Sequence, residues 1–139
     1  MSAIKDATTG RLLAYELSES LKIDFVLETL KQLDKNLLND ETMMQTDQGS
    51  HYTSPQFGNL LNELEITHSM SRRGKCTDNA PIESFFGHFK CEVAYEDCKN
   101  MEELKSIVDD YMLYYNYERP QMDKQKMTPH QVEYHLMFA

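Results

Sequence analysis

Alternating apolar and polar residues at the start of the chain predict a hairpin of two strands. Residues 1–5 and 11–18 are short and rich in apolar residues, and the second segment alternates as a half-buried strand does. The connecting residues 6–10 contain Asp and Gly, which satisfy local backbone groups and admit positive φ. Asp6 is therefore interpreted as a turn residue.

A helix is predicted to follow this hairpin, with Asp24 as a candidate cap for its free amides. Its apolar residues recur at helical spacing and would bury one face: Val26, Leu30, Leu33 and Leu37. Residues 36–41 are predicted as a polar connection. They lead into a short buried strand at 42–46, whose adjacent Met43 and Met44 are interpreted as core residues.

Ser54 and Pro55 are a strong start signal for the next helix. Serine accepts hydrogen bonds from free amides, and proline is pre-set for the first helical position. The apolar residues that follow are spaced for one buried face: Phe57, Leu60, Leu61 and Leu64. Residues 66–71 are then predicted as a further strand.

Three helices are predicted in the remaining sequence. The first is capped by Asp78 or Asn79 and carries an apolar stripe of Ile82, Phe85, Phe86 and Phe89. The second spans 101–117, and its tyrosines are interpreted as packing against the sheet rather than stacking on bases. The last is short and begins at Thr128. This order of strands and helices indicates an α/β fold.

The length of the chain indicates a single globular unit. With 139 residues it is of one domain's length and can bury a sizeable core. It contains no apolar run of membrane-spanning length and opens with no signal segment, so a cytoplasmic location is expected.

The cysteines are interpreted as reduced thiols. Their number is odd and they form no Cys-x-x-Cys pair: Cys76, Cys91 and Cys98. A zinc site that combines them with His88 is the less favoured alternative, because the ligand spacing typical of such sites is missing.

The charge balance argues against tight nonspecific DNA binding. The sequence has 14 Lys and Arg against 23 Asp and Glu, a formal net charge of −9, whereas DNA-binding proteins usually present a basic surface. A local basic exception precedes the third predicted helix: Arg72, Arg73 and Lys75. An ordinary solvated loop and a phosphate contact both remain open for these residues.

Two carboxylates occupy positions typical of a metal site. Asp47 directly follows the predicted strand 42–46, where the chain enters a loop that contains Gly49. Glu83 lies near the start of a helix and off its apolar stripe. Mg²⁺ is bound by one or two carboxylates together with water and phosphates, which suits this pair. The alternative for Glu83 is an ordinary first-turn acid favoured by the helix dipole.

Candidate DNA contacts lie near both carboxylates. Glu83, Gly87 and Lys90 share one helix face, and the missing side chain of Gly87 leaves room for a metal ion and a DNA strand. Lys90 could then contact a phosphate. His51 lies near Asp47, and both a phosphate contact and a loop histidine without chemistry remain open for it.

Several segments, in this order, resemble the integrase-type core of bacterial insertion-sequence transposases. They are residues 46–54 (TDQGSHYTS), 69–74 (SMSRRG), 78–86 (DNAPIESFF), 90–92 (KCE), 115–120 (YNYERP) and 128–129 (TP). Together they extend over nearly the whole chain. The resemblance implies a ribonuclease-H-like fold shared with retroviral integrases.

The resemblance also implies a chemistry and its partners. The family uses an Asp, Asp, Glu triad that binds two Mg²⁺ or Mn²⁺ ions and transfers phosphoryl groups on DNA. Asp47 and Glu83 match two of the three positions, so the implied function is cleavage and strand transfer at insertion-sequence ends. The implied partners are DNA and either further copies of the chain or intact transposase subunits.

One triad position has no match in this sequence. The resemblance places the first Asp in an earlier, central strand, within a Thr-Asp word that would precede residues 1–5, and no Thr-Asp occurs before Thr46 and Asp47 in this sequence. We therefore expect a single, N-terminally truncated core domain at 1–139, divided into 1–100 and the C-terminal helices of 101–139. The chain alone is expected to be inactive, and a catalytically silent remnant or interaction module is the alternative function.

The missing central strand would leave unpaired backbone groups in the sheet. Direct closure of the hairpin at 1–18 onto the strand at 42–46 is slightly favoured, because it needs no partner. A second chain that fills the gap in a swapped dimer is the alternative.

Overall fold

The computed structural model describes residues 1–71 and 80–138, and the elements in these ranges follow the predicted order. The strands are β1 (Ser2–Lys5), β2 (Leu12–Glu16), β3 (Met43–Thr46) and β4 (Thr67–Met70). The helices are α1 (Asp24–Lys31), α2 (Pro55–Glu63), α3 (Ala80–Glu92), α4 (Met101–Tyr117) and α5 (Pro129–Phe138). None of the helices within the described ranges combines the length and apolarity that crossing a membrane requires.

The strands form two separate two-stranded sheets. β1 pairs with β2, and β3 pairs with β4 in parallel, from Met43 opposite Thr67 to Thr46 opposite Met70. Closure of the hairpin onto β3 is therefore wrong for the described residues. Backbone groups of β2 are bonded by a side-chain amide instead, since Asn116 bonds both N–H and C=O of Leu12, at 2.8 and 3.1 Å.

The first of two compact units comprises Met1–Ile4 and Ala14–Ile82. In it α1 packs on α2, and α2 packs on β4. Its core contains these apolar residues: Ala14, Val26, Leu30, Leu33, Phe57, Leu61 and Ile66. The predicted start of α2 is confirmed, because the Ser54 side chain accepts a hydrogen bond from the Phe57 amide at 3.3 Å and Pro55 is the first helical residue.

The predicted limits of α1 are wrong at both ends. Asp24 is the first helical residue rather than the cap, and the capping position is occupied by Ile23, which makes no side-chain capping bond. The helix ends at Lys31, so Leu37 falls in a separate 3-10 turn at Lys35–Leu37 and is 50% exposed. The apolar spacing continued beyond the helix, but the backbone turned before Leu37 could join the same face.

The prediction of a buried strand at 42–46 is also wrong. In β3 only Thr46 is buried, Met44 is half-buried, and Met43 is 62% exposed. Burial depends on the layers that cover a strand, and within the described residues β3 is hydrogen-bonded to β4 alone. Met43 is therefore not a core residue.

The second compact unit comprises Lys5–Leu13 and Glu83–Ala139, and its core is aromatic. Phe85 of α3 is fully buried, and its ring centroid lies 5.2 Å from that of Tyr115 and 6.4 Å from that of Tyr111. Phe89, one turn further along α3, meets Tyr111 edge-on at 5.6 Å. Two tyrosines of α4 thus pack as predicted, but they pack on α3 rather than on a sheet.

The hairpin turn belongs to this second unit. Asp6 is a turn residue, as predicted: its carboxylate accepts bonds from the Thr8 amide at 2.9 Å and the Thr9 hydroxyl at 3.0 Å. Gly10 follows with φ of 83° and packs on Gln121, whose side chain donates to the Thr9 carbonyl at 2.9 Å. With both carboxylate oxygens engaged in the turn, Asp6 is a poor replacement for the first Asp of the triad, which has no match in this sequence.

The final helix is anchored near its beginning. Val132 is buried, and Glu133 forms an ion pair with Arg11 at 2.8 Å. Leu136, which the helical spacing placed one turn after Val132, is 58% exposed. The buried part of α5 therefore ends before its last turn.

Candidate active site

Asp47 is the first residue after β3, and its side chain is exposed. One carboxylate oxygen, Oδ1, accepts a hydrogen bond from the Gly49 amide at 2.7 Å, which curls the loop around the carboxylate. A Cβ atom at Gly49 would lie 2.9 Å from that oxygen, so a residue with a Cβ would displace the carboxylate from its present position. Burial and the nearby Asp47 charge raise the pKa of the Tyr52 phenol.

The end of β3 is fixed by the end of β4. The Ser71 amide donates to the Thr46 carbonyl at 2.7 Å, one residue beyond the regular ladder. The Gln48 side chain donates to the Ser71 carbonyl at 3.2 Å. A backbone bond before Asp47 and a side-chain bond after it thus hold its position relative to β4.

Glu83 lies in the first turn of α3 and is exposed, opposite the buried Phe85 and Phe89. Its carboxylate makes no hydrogen bond or ion pair with the residues that the structure describes. Among the described residues, a Cβ atom at Gly87, one turn further on, would meet no atom within 4 Å. Lys90 is exposed at the end of this face.

His51 is held by contacts within its own unit. Its Nε2 lies 2.6 Å from the Leu21 carbonyl oxygen, and its ring meets Phe25 edge-on at 5.6 Å. A carbonyl oxygen only accepts, so Nε2 is the protonated nitrogen. These contacts fix the loop after Asp47 against the start of α1, whereas the phosphate contact of His51 stays a prediction.

Three predicted DNA contacts fall outside the described residues: Arg72, Arg73 and Lys75. The predicted helix cap at Asp78 or Asn79 also lies there. Across 1–71 and 80–138, no three or more His, Cys, Asp or Glu side chains are grouped so that they could hold a metal ion. Cys91 and Cys98 are free thiols in this part of the chain.

The sequence matches a known family along most of its length. Residues 1–76 match one family model described as "Integrase core domain", and residues 64–129 match another with the same description. The chain belongs to the integrase core domain family. The first match contains Asp47 and the second contains Glu83, so the predicted resemblance is confirmed.

Curated relatives of this integrase core are described as a transposase and a transposase-like protein. A putative transposase InsK for insertion sequence element IS150 of Escherichia coli (strain K12) is 36% identical over 96% of this chain and 47% of that protein. An uncharacterized transposase-like protein of Haemophilus influenzae is 34% identical over 93% of this chain and 60% of that protein. The chain thus spans about half the length of the curated relatives it matches.

Solved structures confirm the fold class. The catalytic core domain of BIV integrase covers 99% of this chain and 88% of its own, with a TM-score of 0.70 at 16% identity. A simian T-cell lymphotropic virus intasome structure gives a TM-score of 0.68 over 83% of this chain at 17% identity. This integrase core therefore has the ribonuclease-H-like α/β fold that was predicted.

A polar network at the end of α3 was not predicted. The last residue of α3, Glu92, accepts a hydrogen bond from the Tyr111 hydroxyl at 2.6 Å. Arg119 donates from Nε to both Glu92 oxygens, at 3.0 and 3.1 Å, and its guanidinium lies 5.5 Å from the Tyr115 ring centre. The network ties the C-terminal end of α3 to the end of α4.

The charges in this network stabilise each other. Burial opposes ionisation of Glu92, but the bonds from Tyr111 and Arg119 outweigh it and lower the pKa of Glu92. Burial likewise disfavours the charged guanidinium, but Glu92 outweighs it and raises the pKa of Arg119. Glu92 lies in segment 90–92 and Arg119 in segment 115–120, and both segments carried the family resemblance. That observation was the sequence signal that could have suggested their contact.

Proposed function

We propose that this chain acts in DNA transposition as the integrase core of a transposase. It would contribute to Mg²⁺-dependent phosphodiester cleavage and strand transfer at insertion-sequence ends. The observation that carries the proposal is the placement of two exposed carboxylates within the matched segments. Asp47 follows β3 in the first, and Glu83 lies in the first turn of α3 in the second.

The donor chemistry of the two residues suits a hard divalent cation. Mg²⁺ and Mn²⁺ prefer carboxylate oxygens, and both residues expose their carboxylates. Within the described residues, Asp47 bonds the Gly49 amide through Oδ1, which leaves Oδ2 for a metal ion, and Glu83 is the second ligand proposed from the family resemblance. When bound, such ions activate an attacking water or 3′-hydroxyl and stabilise the leaving oxygen of a phosphodiester.

Local cations would supply the contacts to DNA, because the chain as a whole is acidic. Lys90 is exposed two turns after Glu83 on the same face, where it would meet a phosphate. His51 and the basic residues at 72, 73 and 75 are proposed as further phosphate contacts. Further copies of the chain or intact transposase subunits are the proposed protein partners.

Mn²⁺ titration followed by NMR tests whether Asp47 and Glu83 share one site. Mn²⁺ broadens nearby amide resonances, so we expect broadening around residues 47–49 and around 83–87 with a common midpoint. Asp47→Asn removes one charged ligand and should weaken binding at both segments by about tenfold or more. Glu83→Gln should have the same effect.

Asp40→Asn is the matched control. Asp40 is an exposed acid in the connection before β3, so its loss should leave both midpoints unchanged. Broadening at 47–49 that survives Glu83→Gln would indicate two independent sites and contradict the shared metal site.

The purified chain alone is expected to show no Mg²⁺- or Mn²⁺-dependent cleavage or joining of an insertion-sequence end. Two carboxylates leave the metal centre short of one ligand, and the charge of −9 weakens DNA binding. The measurement is a gel assay on labelled duplexes that carry the ends flanking the coding sequence. Robust cleavage that Glu83→Gln abolishes would overturn this expectation.

A catalytically silent interaction module is the second candidate function. It is favoured by the engagement of both Asp6 carboxylate oxygens in the hairpin turn, which makes Asp6 a poor replacement for the unmatched first Asp of the triad. The Mn²⁺ titration separates the two candidates, since a silent module needs no divalent ion at Asp47 and Glu83.

A further inference from the structure

A hydrogen-bond chain reaches Asp47 from the neighbouring strand. The Thr46 hydroxyl lies 2.8 Å from Nε2 of His68 and 2.9 Å from the carbonyl oxygen of Asp47. Thr46 is 7% exposed, so water has little access to these bonds. His68 pairs with Met44 in the register of β3 and β4. Because Met44 and Thr46 lie two residues apart on one face, the His68 ring can reach the hydroxyl.

The direction of donation follows from the chemistry of the three groups. A carbonyl oxygen only accepts, so the single hydroxyl proton of Thr46 is used in the bond to Asp47. Nε2 of His68 must then donate to the hydroxyl oxygen. The hydrogen bonds therefore run from Nε2–H of His68 to the Thr46 hydroxyl oxygen, and from the Thr46 hydroxyl to the Asp47 carbonyl oxygen.

Aromatic packing holds the His68 ring in place. The ring meets Phe57 at 5.2 Å with an interplanar angle of 63°, and Phe57 is only 2% exposed. The Tyr52 ring also packs on Phe57, with a centroid distance of 5.3 Å. Burial lowers the pKa of His68, which favours the neutral ring at neutral pH. A neutral ring has one N–H only, and Thr46 requires it on Nε2.

We infer that His68 is a positioning residue that orients the Asp47 carboxylate through the Thr46 hydroxyl. The Thr46 hydroxyl holds the Asp47 backbone carbonyl, while the Gly49 amide donates to Oδ1 of the Asp47 carboxylate at 2.7 Å. The first bond restrains the backbone from which the carboxylate projects, the second restrains the carboxylate itself, and such outer contacts tune the affinity of a metal ligand. The inference rests on the proposed function, because orientation matters only where Asp47 binds the ion.

Two substitutions of His68 separate hydrogen bonding from packing. His68→Gln keeps an N–H donor near the position of Nε2, whereas His68→Phe keeps an aromatic ring against Phe57 but removes the donor. We expect Mn²⁺ affinity at residues 47–49 to fall about tenfold or more in His68→Phe and to be largely retained in His68→Gln. Equal losses in both variants, or no loss in either, would overturn the inference.

Two metal-free measurements keep this result distinct from the proposed function. The ¹⁵N shifts of the His68 ring should show the proton on Nε2, and hydrogen exchange at the Gly49 amide should be about tenfold faster in Thr46→Val and His68→Phe. Thr67→Val, at an exposed threonine of β4, is the control and should leave that exchange unchanged. A proton on Nδ1, or unchanged Gly49 exchange in both variants, would overturn the inference. Failure of Mn²⁺ to bind the parent chain would refute the proposed metal site alone.

Discussion

Phe85→Ala is expected to destabilise the chain more than any other single truncation in α3. Phe85 is fully buried, and four aromatic rings surround it at centroid distances between 5.2 and 6.4 Å: Phe86, Phe89, Tyr111 and Tyr115. Removing the ring leaves a cavity that these neighbours cannot fill, at a cost of about 3–5 kcal/mol. Urea unfolding followed by circular dichroism measures the loss.

Phe138→Ala is the control for this truncation. Phe138 ends α5 and is 70% exposed, so its removal should change the free energy of unfolding by about 0.5 kcal/mol or less. Equal effects of the two substitutions would show that the aromatic cluster does not support α3. Because Glu83 lies two residues before Phe85 on that helix, the truncation should also weaken Mn²⁺ broadening at 83–87.

Gly10→Ala is the second substitution with a large expected effect. Gly10 has φ of 83°, which disfavours any residue with a Cβ, and the added methyl group would collide with the Gln121 side-chain amide. Moving Gln121 would break its buried bond to the Thr9 carbonyl. Backbone strain and the lost bond together should cost about 2–5 kcal/mol of unfolding free energy.

Gly58→Ala is the matched control for Gly10→Ala. Gly58 lies inside α2, and a Cβ atom there would meet no atom within 4 Å. Alanine in a helix interior should therefore stabilise the chain by about 0.5–1 kcal/mol. The same urea unfolding experiment checks both variants, and stabilisation by Gly10→Ala would show that the turn does not need a left-handed residue.

The order of the elements could be predicted from the sequence because each depends on local signals. The helix predicted at 101–117 has those bounds, and the start of α2 at Ser54 and Pro55 follows from capping chemistry within four residues. Local sequence signals also predicted that Asp47 directly follows β3 and that Glu83 lies off the apolar stripe of α3. The resemblance added the family, which the comparisons confirmed.

Burial was predicted less well than element order. Periodicity shows which residues share a face, but it does not show whether another layer covers that face. Met43 and Leu37 were placed in the core by their apolar character, and both are half or more exposed in the structure. The tyrosines of α4 were expected to pack on a sheet, whereas Phe85 and Phe89 of α3 cover them.

By itself, the sequence determined the element order, the family and the two candidate carboxylates. Tertiary structure decided which distant side chains meet, because no local pattern encodes a partner far along the chain. Glu92 and Arg119 are separated by 27 positions, Thr46 and His68 by 22, and Leu12 and Asn116 by 104. Each pair joins polar groups from elements that are distant in the sequence, and only the folded chain brings them within hydrogen-bonding distance.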